Sequence, residues 1–133
     1  MDEKITDRLR THPKERLAAP IQRIHLAEEA AKLRAESHAP VAGHRQVALV
    51  RRGPVSLILF VFDADGFMRE HSAAGEVTIH VISGRLTVAA GEDEMHLGPG
   101  ELVSLAPGVA HSVRAQEVTD MLLTVSQVPA AEN

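Results

Sequence analysis

The sequence predicts a small all-β domain, a sandwich or barrel, preceded by a charged arm and one short helix. Three observations lead to this fold class. After residue 40, short β-type runs alternate with Gly, Pro and Asp turn residues at intervals of about 8–14 positions. The length of 133 residues fits a single domain. Aromatic residues make up only 2% of the chain, so its core must be built mainly from Val, Leu and Ile.

The composition excludes several classes of function. The chain has no cysteine, which excludes thiolate catalysis, disulfides and iron–sulfur clusters. A net charge of −4 and the shortage of aromatic residues argue against a nucleic-acid partner. No apolar run approaches the roughly 20 residues that span a bilayer, and the N-terminus carries no secretory signal. We therefore expect a cytoplasmic protein with no nucleic-acid or membrane partner. The chain contains eight histidines, an unusually high number for 133 residues, and the search for functional residues starts from them.

The first 40 residues differ in composition and hydrophobic periodicity from residues 41–133, which we assign to the β-domain. Residues 1–19 are charged, lack clear periodicity and contain Pro13, features typical of a mobile arm. Residues 27–36 are rich in Ala, Glu, Lys and Leu, which are strong helix formers. They predict a short helix that ends near Pro40.

The strands follow in order from residue 46. The run 55–62 is apolar at both parities except at Ser56, which predicts a central strand covered on both faces. Residues 63–66 form a turn in which Gly66 is placed for a positive φ. The run 85–89 alternates and predicts a strand with one buried face. The other predicted strands are residues 46–52, 67–71, 76–82, 95–97, 101–105, 110–115 and 121–126.

A glycine and histidine spacing near the C-terminus resembles the second sequence motif of the cupin superfamily. Gly100, Gly108 and His111 keep the spacing of that motif, whereas Ala106 and Ala115 stand where it has Pro and Asn. The resemblance implies a single-domain, RmlC-like cupin: a double-stranded β-helix, or jelly-roll, barrel. It also implies a homodimer.

The first cupin motif is degenerate in this chain. When the motif is anchored on Gly84, His71 takes its first histidine position. Ala73 and Val77 then stand where a second histidine and a carboxylate are expected. In the alternative alignment His71 is the second histidine and Glu76 supplies the carboxylate.

Strand parity favours the first alignment. Val77 shares a face with the aliphatic residues of its run, and an aliphatic face normally turns inward. Glu76 then points outward, although a bulge near Gly75 would reverse this assignment.

The candidate site residues follow from the same parity argument. His111 shares its parity with two apolar residues of its run and is expected to point into the barrel. His71 shares its parity with Phe67 and Arg69 and is expected to do the same. The guanidinium of Arg69 suits a carboxylate or phosphate. His44 is expected at the same mouth of the barrel.

Two main hypotheses of function and one further alternative remain open, and the sequence does not decide whether the protein is an enzyme. In the first, the barrel binds a small polar or anionic molecule through His71, His111, Arg69 and His44, as a binding or sensing module. In the second, the chain is a metal-dependent cupin dioxygenase or isomerase in which His71, His111 and Glu76 hold Fe, Mn, Ni or Zn. A metal-free isomerase with one imidazole as general base is a third alternative.

Overall fold

The computed structural model describes residues 16–127, in which the chain forms one complete helix and nine strands. The predicted helix is present as α1 (Leu26–Arg34). Most of the predicted arm, residues 1–15, lies outside the described residues. The strands are β1 (His44–Arg52), β2 (Val55–Phe62), β3 (Phe67–His71), β4 (Glu76–Ser83), β5 (Leu86–Ala90), β6 (Asp93–Leu97), β7 (Leu102–Leu105), β8 (His111–Ala115) and β9 (Thr119–Ser126).

The strands form two antiparallel sheets that enclose one apolar core. A five-stranded sheet has the order β1-β2-β9-β4-β7, and a four-stranded sheet has the order β3-β8-β5-β6. Both sheets contribute buried aliphatic side chains to the same core. This arrangement confirms the predicted all-β jelly-roll fold. Within residues 16–127, no helix is long and apolar enough to cross a membrane.

Strand β2 is covered on both faces, as its unbroken apolar pattern predicted. Phe62 is fully buried in the core between the sheets. Leu59 is also fully buried, but it lies on the opposite face, in a second cluster with Ala30 and Leu33 of α1. The helix therefore closes the outer face of the five-stranded sheet over β1 and β2.

Helix α1 is fixed at both ends by side chains. At its start, the ring of His25 accepts a hydrogen bond from the backbone N–H of Glu28 (3.3 Å), a role that N-cap side chains commonly fill. At its end, Arg34 forms an ion pair with Asp120 (2.6 Å) and donates to the carbonyl oxygen of Thr119 (3.3 Å). These contacts join the helix to β9.

The turn between β2 and β3 differs from the prediction in one residue. Asp65, not Gly66, has the positive φ (70°), which aspartate tolerates better than most residues. Gly66 is required for a different reason: a Cβ there would overlap the carbonyl group of Gly43. Glycine at this position lets the start of β3 approach the start of β1.

Candidate ligand site

Two histidines meet on the inner face of the four-stranded sheet. His71 is the last residue of β3 and His111 is the first residue of β8, and the two are direct partners in the antiparallel register. Their ring centroids lie 4.4 Å apart and their planes are tilted by 57°. We call these two residues the histidine pair.

A β-bulge produces this pairing and corrects the predicted parity of β3. Met68 pairs with Val113, and the next recorded partners are His71 and His111, so β3 has one more residue than β8 between the two pairs. Met68 packs against the core, whereas Phe67 contacts the exposed Arg114. Strict alternation had predicted that His71 shares the face of Phe67, but the bulge places it on the opposite face. It shares the inner face of Met68.

Both rings are held by the backbone in the same way. Nδ1 of His71 donates to the carbonyl oxygen of Arg69 (2.7 Å), and Nδ1 of His111 donates to that of Val109 (3.0 Å). A carbonyl oxygen has no proton to give, so Nδ1 carries the hydrogen in each ring. An imidazole with its single hydrogen on Nδ1 has a lone pair on Nε2. The sequence gives no sign of these tethers, because every residue carries a carbonyl group.

The two rings differ in exposure. His111 is only 2% exposed, whereas His71 is exposed. The space between the sheets is filled by apolar side chains, and four cavities of 250–510 Å³ in residues 16–127 are lined by other residues. The histidine pair is therefore reached from solvent on the side of His71.

Glu76 does not join the histidine pair in a metal-binding group. Within residues 16–127, no cluster of three or more His, Asp or Glu side chains could hold a metal ion. The register of β4 with β9 is continuous from Glu76 to Val81, so no bulge turns Glu76 inward. Val77 is buried in the core and Glu76 is exposed, as strand parity predicted.

The donor set does not fit a tightly held metal ion. Protein metal sites normally supply three or four donors, and a non-haem iron site typically combines two histidines with one carboxylate. The histidine pair supplies two nitrogens. Iron, manganese, nickel or zinc would need its remaining ligands from water or from a bound molecule.

His44 lies at the other end of the barrel. Its Nδ1 donates to the carbonyl oxygen of Phe67 (3.0 Å), and its ring packs against Phe60 and Phe62. Phe67 begins β3 and His71 ends it, so the two positions are separated by roughly 13 Å of extended strand. The structure therefore separates His44 from the histidine pair, contrary to the expectation of a shared mouth.

Arg69 stays close to the histidine pair in the chain and is exposed. Its carbonyl oxygen holds the ring of His71, and it lies in the bulged part of β3. The bulge breaks the alternation that had put Arg69 on the face of His71, and its side chain is exposed to solvent.

The fold and this paired-histidine site define a cupin-type barrel, and comparisons with known proteins show the family. The chain belongs to the cupin family: the model described as "Cupin domain" matches residues 58–126, just over half of the sequence. No curated protein matches the sequence.

Solved structures share the fold at low sequence identity. A cupin superfamily protein from Desulfitobacterium hafniense is 16% identical, with a TM-score of 0.67 over 82% of this chain and 94% of its own. An RmlC-like cupin from Shewanella frigidimarina is 17% identical, with a TM-score of 0.63 over 68% and 81% of the two chains. Salicylate 1,2-dioxygenase from Pseudoaminobacter salicylatoxidans is 17% identical, with a TM-score of 0.69 over 90% of this chain but 39% of that enzyme. These similarities show the fold alone.

Proposed function

We propose that this cupin-domain chain is a binding module that takes a small polar molecule at the open end of its barrel. The observation that carries the proposal is the pair of tethered imidazoles, whose rings lie 4.4 Å apart and whose Nδ1 atoms are both occupied by backbone carbonyls. Two neighbouring Nε2 atoms are thereby left for a ligand.

The position of the hydrogen on Nδ1 of each ring selects the ligand class. An Nε2 lone pair accepts a hydrogen bond, so the bound group must be a donor such as a hydroxyl. The exposed guanidinium of Arg69, two residues before His71, suits a carboxylate in the same molecule. A small hydroxy acid carries both groups, and we propose this class as the ligand.

The second hypothesis, a metal-dependent dioxygenase or isomerase, draws on one feature of the site. Metal-binding histidines usually give their other ring N–H to a carbonyl or carboxylate, as His71 and His111 both do. The hypothesis lacks a third protein donor within residues 16–127. We therefore favour the metal-independent binding module.

Thermal shift with a panel of hydroxy acids (glycolate, lactate, malate and tartrate) tests the proposal. A ligand at about 100 times its Kd stabilises the folded state by about 2.7 kcal/mol, which is readily measured as a rise in Tm. We expect His71→Gln to abolish this rise without loss of folding, because the side chain is exposed. His80→Gln is the matched control, since His80 lies on the opposite face of β4 from the buried Val77 and Ile79. Stabilisation that survives His71→Gln, or none from any compound of the panel, would contradict the proposal.

Metal analysis separates the two hypotheses. The protein should be purified without a polyhistidine tag and dialysed before elemental analysis. We expect less than equimolar Fe, Mn, Ni and Zn, because two nitrogen donors hold a divalent ion weakly. Equimolar metal that is retained by the wild type and lost in His71→Gln would establish the metal-dependent alternative.

The homodimer implied by the cupin resemblance stays a prediction. Size-exclusion chromatography with light scattering measures the mass of the protein in solution and tests this prediction. A mass of twice the 14.3 kDa chain would support the dimer, and the mass of one chain would contradict it.

A further inference from the structure

The outer face of the four-stranded sheet carries a second concave surface, turned away from the barrel interior. A cavity of about 250 Å³ lies there. We call it the outer groove and define it by the side chains of Phe67, Ala89, Glu94, Ser112, Arg114 and Gln116. Its volume is close to the lower limit for small-molecule sites.

Small residues form the floor of the outer groove. Ala89 of β5 and Ser112 of β8 are register partners, and Glu94 of β6 pairs with Ala89 on the other side. Two small side chains in the middle of a sheet leave a depression between the larger side chains around them. The Ser112 hydroxyl is available there as both donor and acceptor.

A polar network stiffens one end of the groove. Thr87 lies on the outer face of β5, yet it is only 9% exposed. Its hydroxyl accepts a hydrogen bond from Nε2 of Gln116 (2.6 Å) and lies 3.1 Å from Nδ1 of His96. These contacts fix the Gln116 amide, so its carbonyl oxygen is presented by a side chain that is already ordered.

The groove has charges of opposite sign on its two sides. Arg114 lies over the ring of Phe67 (5.2 Å to the centroid) and donates to the carbonyl oxygen of Asp65 (3.2 Å). Both partners are neutral groups. Among the ion pairs found in residues 16–127, none includes Arg114 or Glu94. Strand β5 separates the two residues, and their register positions on β5 differ by two residues, which places their backbones roughly 12 Å apart across the sheet.

We propose that the outer groove is a second ligand site, independent of the histidine pair, that binds a small zwitterion of dipeptide size. The carboxylate of the ligand binds Arg114 and its ammonium group binds Glu94. Ser112 and Gln116 hydrogen-bond the peptide group between them. An extended dipeptide spans about 7 Å, and a polar contact of about 3 Å at each end lets it bridge two charged side chains whose backbones lie roughly 12 Å apart.

An NMR titration with glycylglycine tests this proposal. We expect the backbone amides of Ala89 and Ser112 to shift in a saturable manner, with a Kd of about 1–10 mM, as befits so small a ligand. Acetate alone and methylammonium alone should each bind about tenfold more weakly, because each satisfies one charge. The amide of His71 should not respond, which distinguishes this site from the histidine pair.

Charge-neutral variants complete the test. Arg114→Gln and Glu94→Gln should each weaken glycylglycine binding about tenfold. The matched controls are Glu92→Gln, in the adjoining turn, and Arg23→Gln, both of exposed residues outside the groove, and they should leave it unchanged. No saturable shift at Ala89 and Ser112, or equal binding by the groove variants and the controls, would overturn the proposal.

Discussion

Truncation of each member of the histidine pair should have very different effects on stability. His111 is 2% exposed, so His111→Ala removes a buried ring and leaves a cavity, at a cost of about 2–4 kcal/mol. It also removes the hydrogen bond to the carbonyl oxygen of Val109, which adds about 1 kcal/mol. His71 is exposed, so His71→Ala should cost only about 0.5–1 kcal/mol.

Urea unfolding measures this contrast directly. We expect His111→Ala to lower the free energy of unfolding by about 2–4 kcal/mol more than His71→Ala, with an unchanged m-value. His80→Ala is the internal reference, because His80 is half-buried and should give an intermediate loss. Equal losses at His71 and His111 would refute the reasoning, since the rings would then share one environment.

Three further predictions concern the frame around the site. Gly84→Ala should cost at least about 3 kcal/mol, because its φ is +92° and a Cβ there would overlap the start of β9. Gly91→Ala, at φ +62°, meets open space and should cost only about 1–2 kcal/mol. Calorimetry on both variants compares the two costs. Arg34→Ala and Asp120→Ala should each cost about 1–2 kcal/mol, and the double variant should cost less than their sum in a double-mutant cycle, because they lose one shared ion pair. Deletion of Glu70 should remove the bulge and keep the histidine pair opposite each other, which NOEs between β3 and β8 would show; loss of those NOEs would contradict the register.

The strand pattern of this chain could be predicted because it depends on local chemistry. The run Val55–Phe62 has no polar face, and the structure covers it on one side with the core and on the other with α1. The aliphatic alternation after Glu76 correctly placed Val77 inside. Side-chain alternation is a property of the extended backbone itself, so it holds wherever the strand is regular.

The arrangement of the site depended on irregularities that a sequence pattern does not reveal. One extra residue in β3 moved His71 to the face opposite the one that counting in twos assigns. The outer groove has no sequence signature either, because Thr87 is covered by Gln116, which lies 29 positions later in the chain.

The sequence by itself determined that this chain folds as an all-β barrel with an aliphatic core and no thiol chemistry. It did so because turn residues and apolar periodicity act over a few neighbouring positions. Only the tertiary structure decided that His71 and His111 are partners and that His44 lies at the far end. Those placements depend on strand register and on a bulge, and both are set by hydrogen bonds between residues that are distant in the chain.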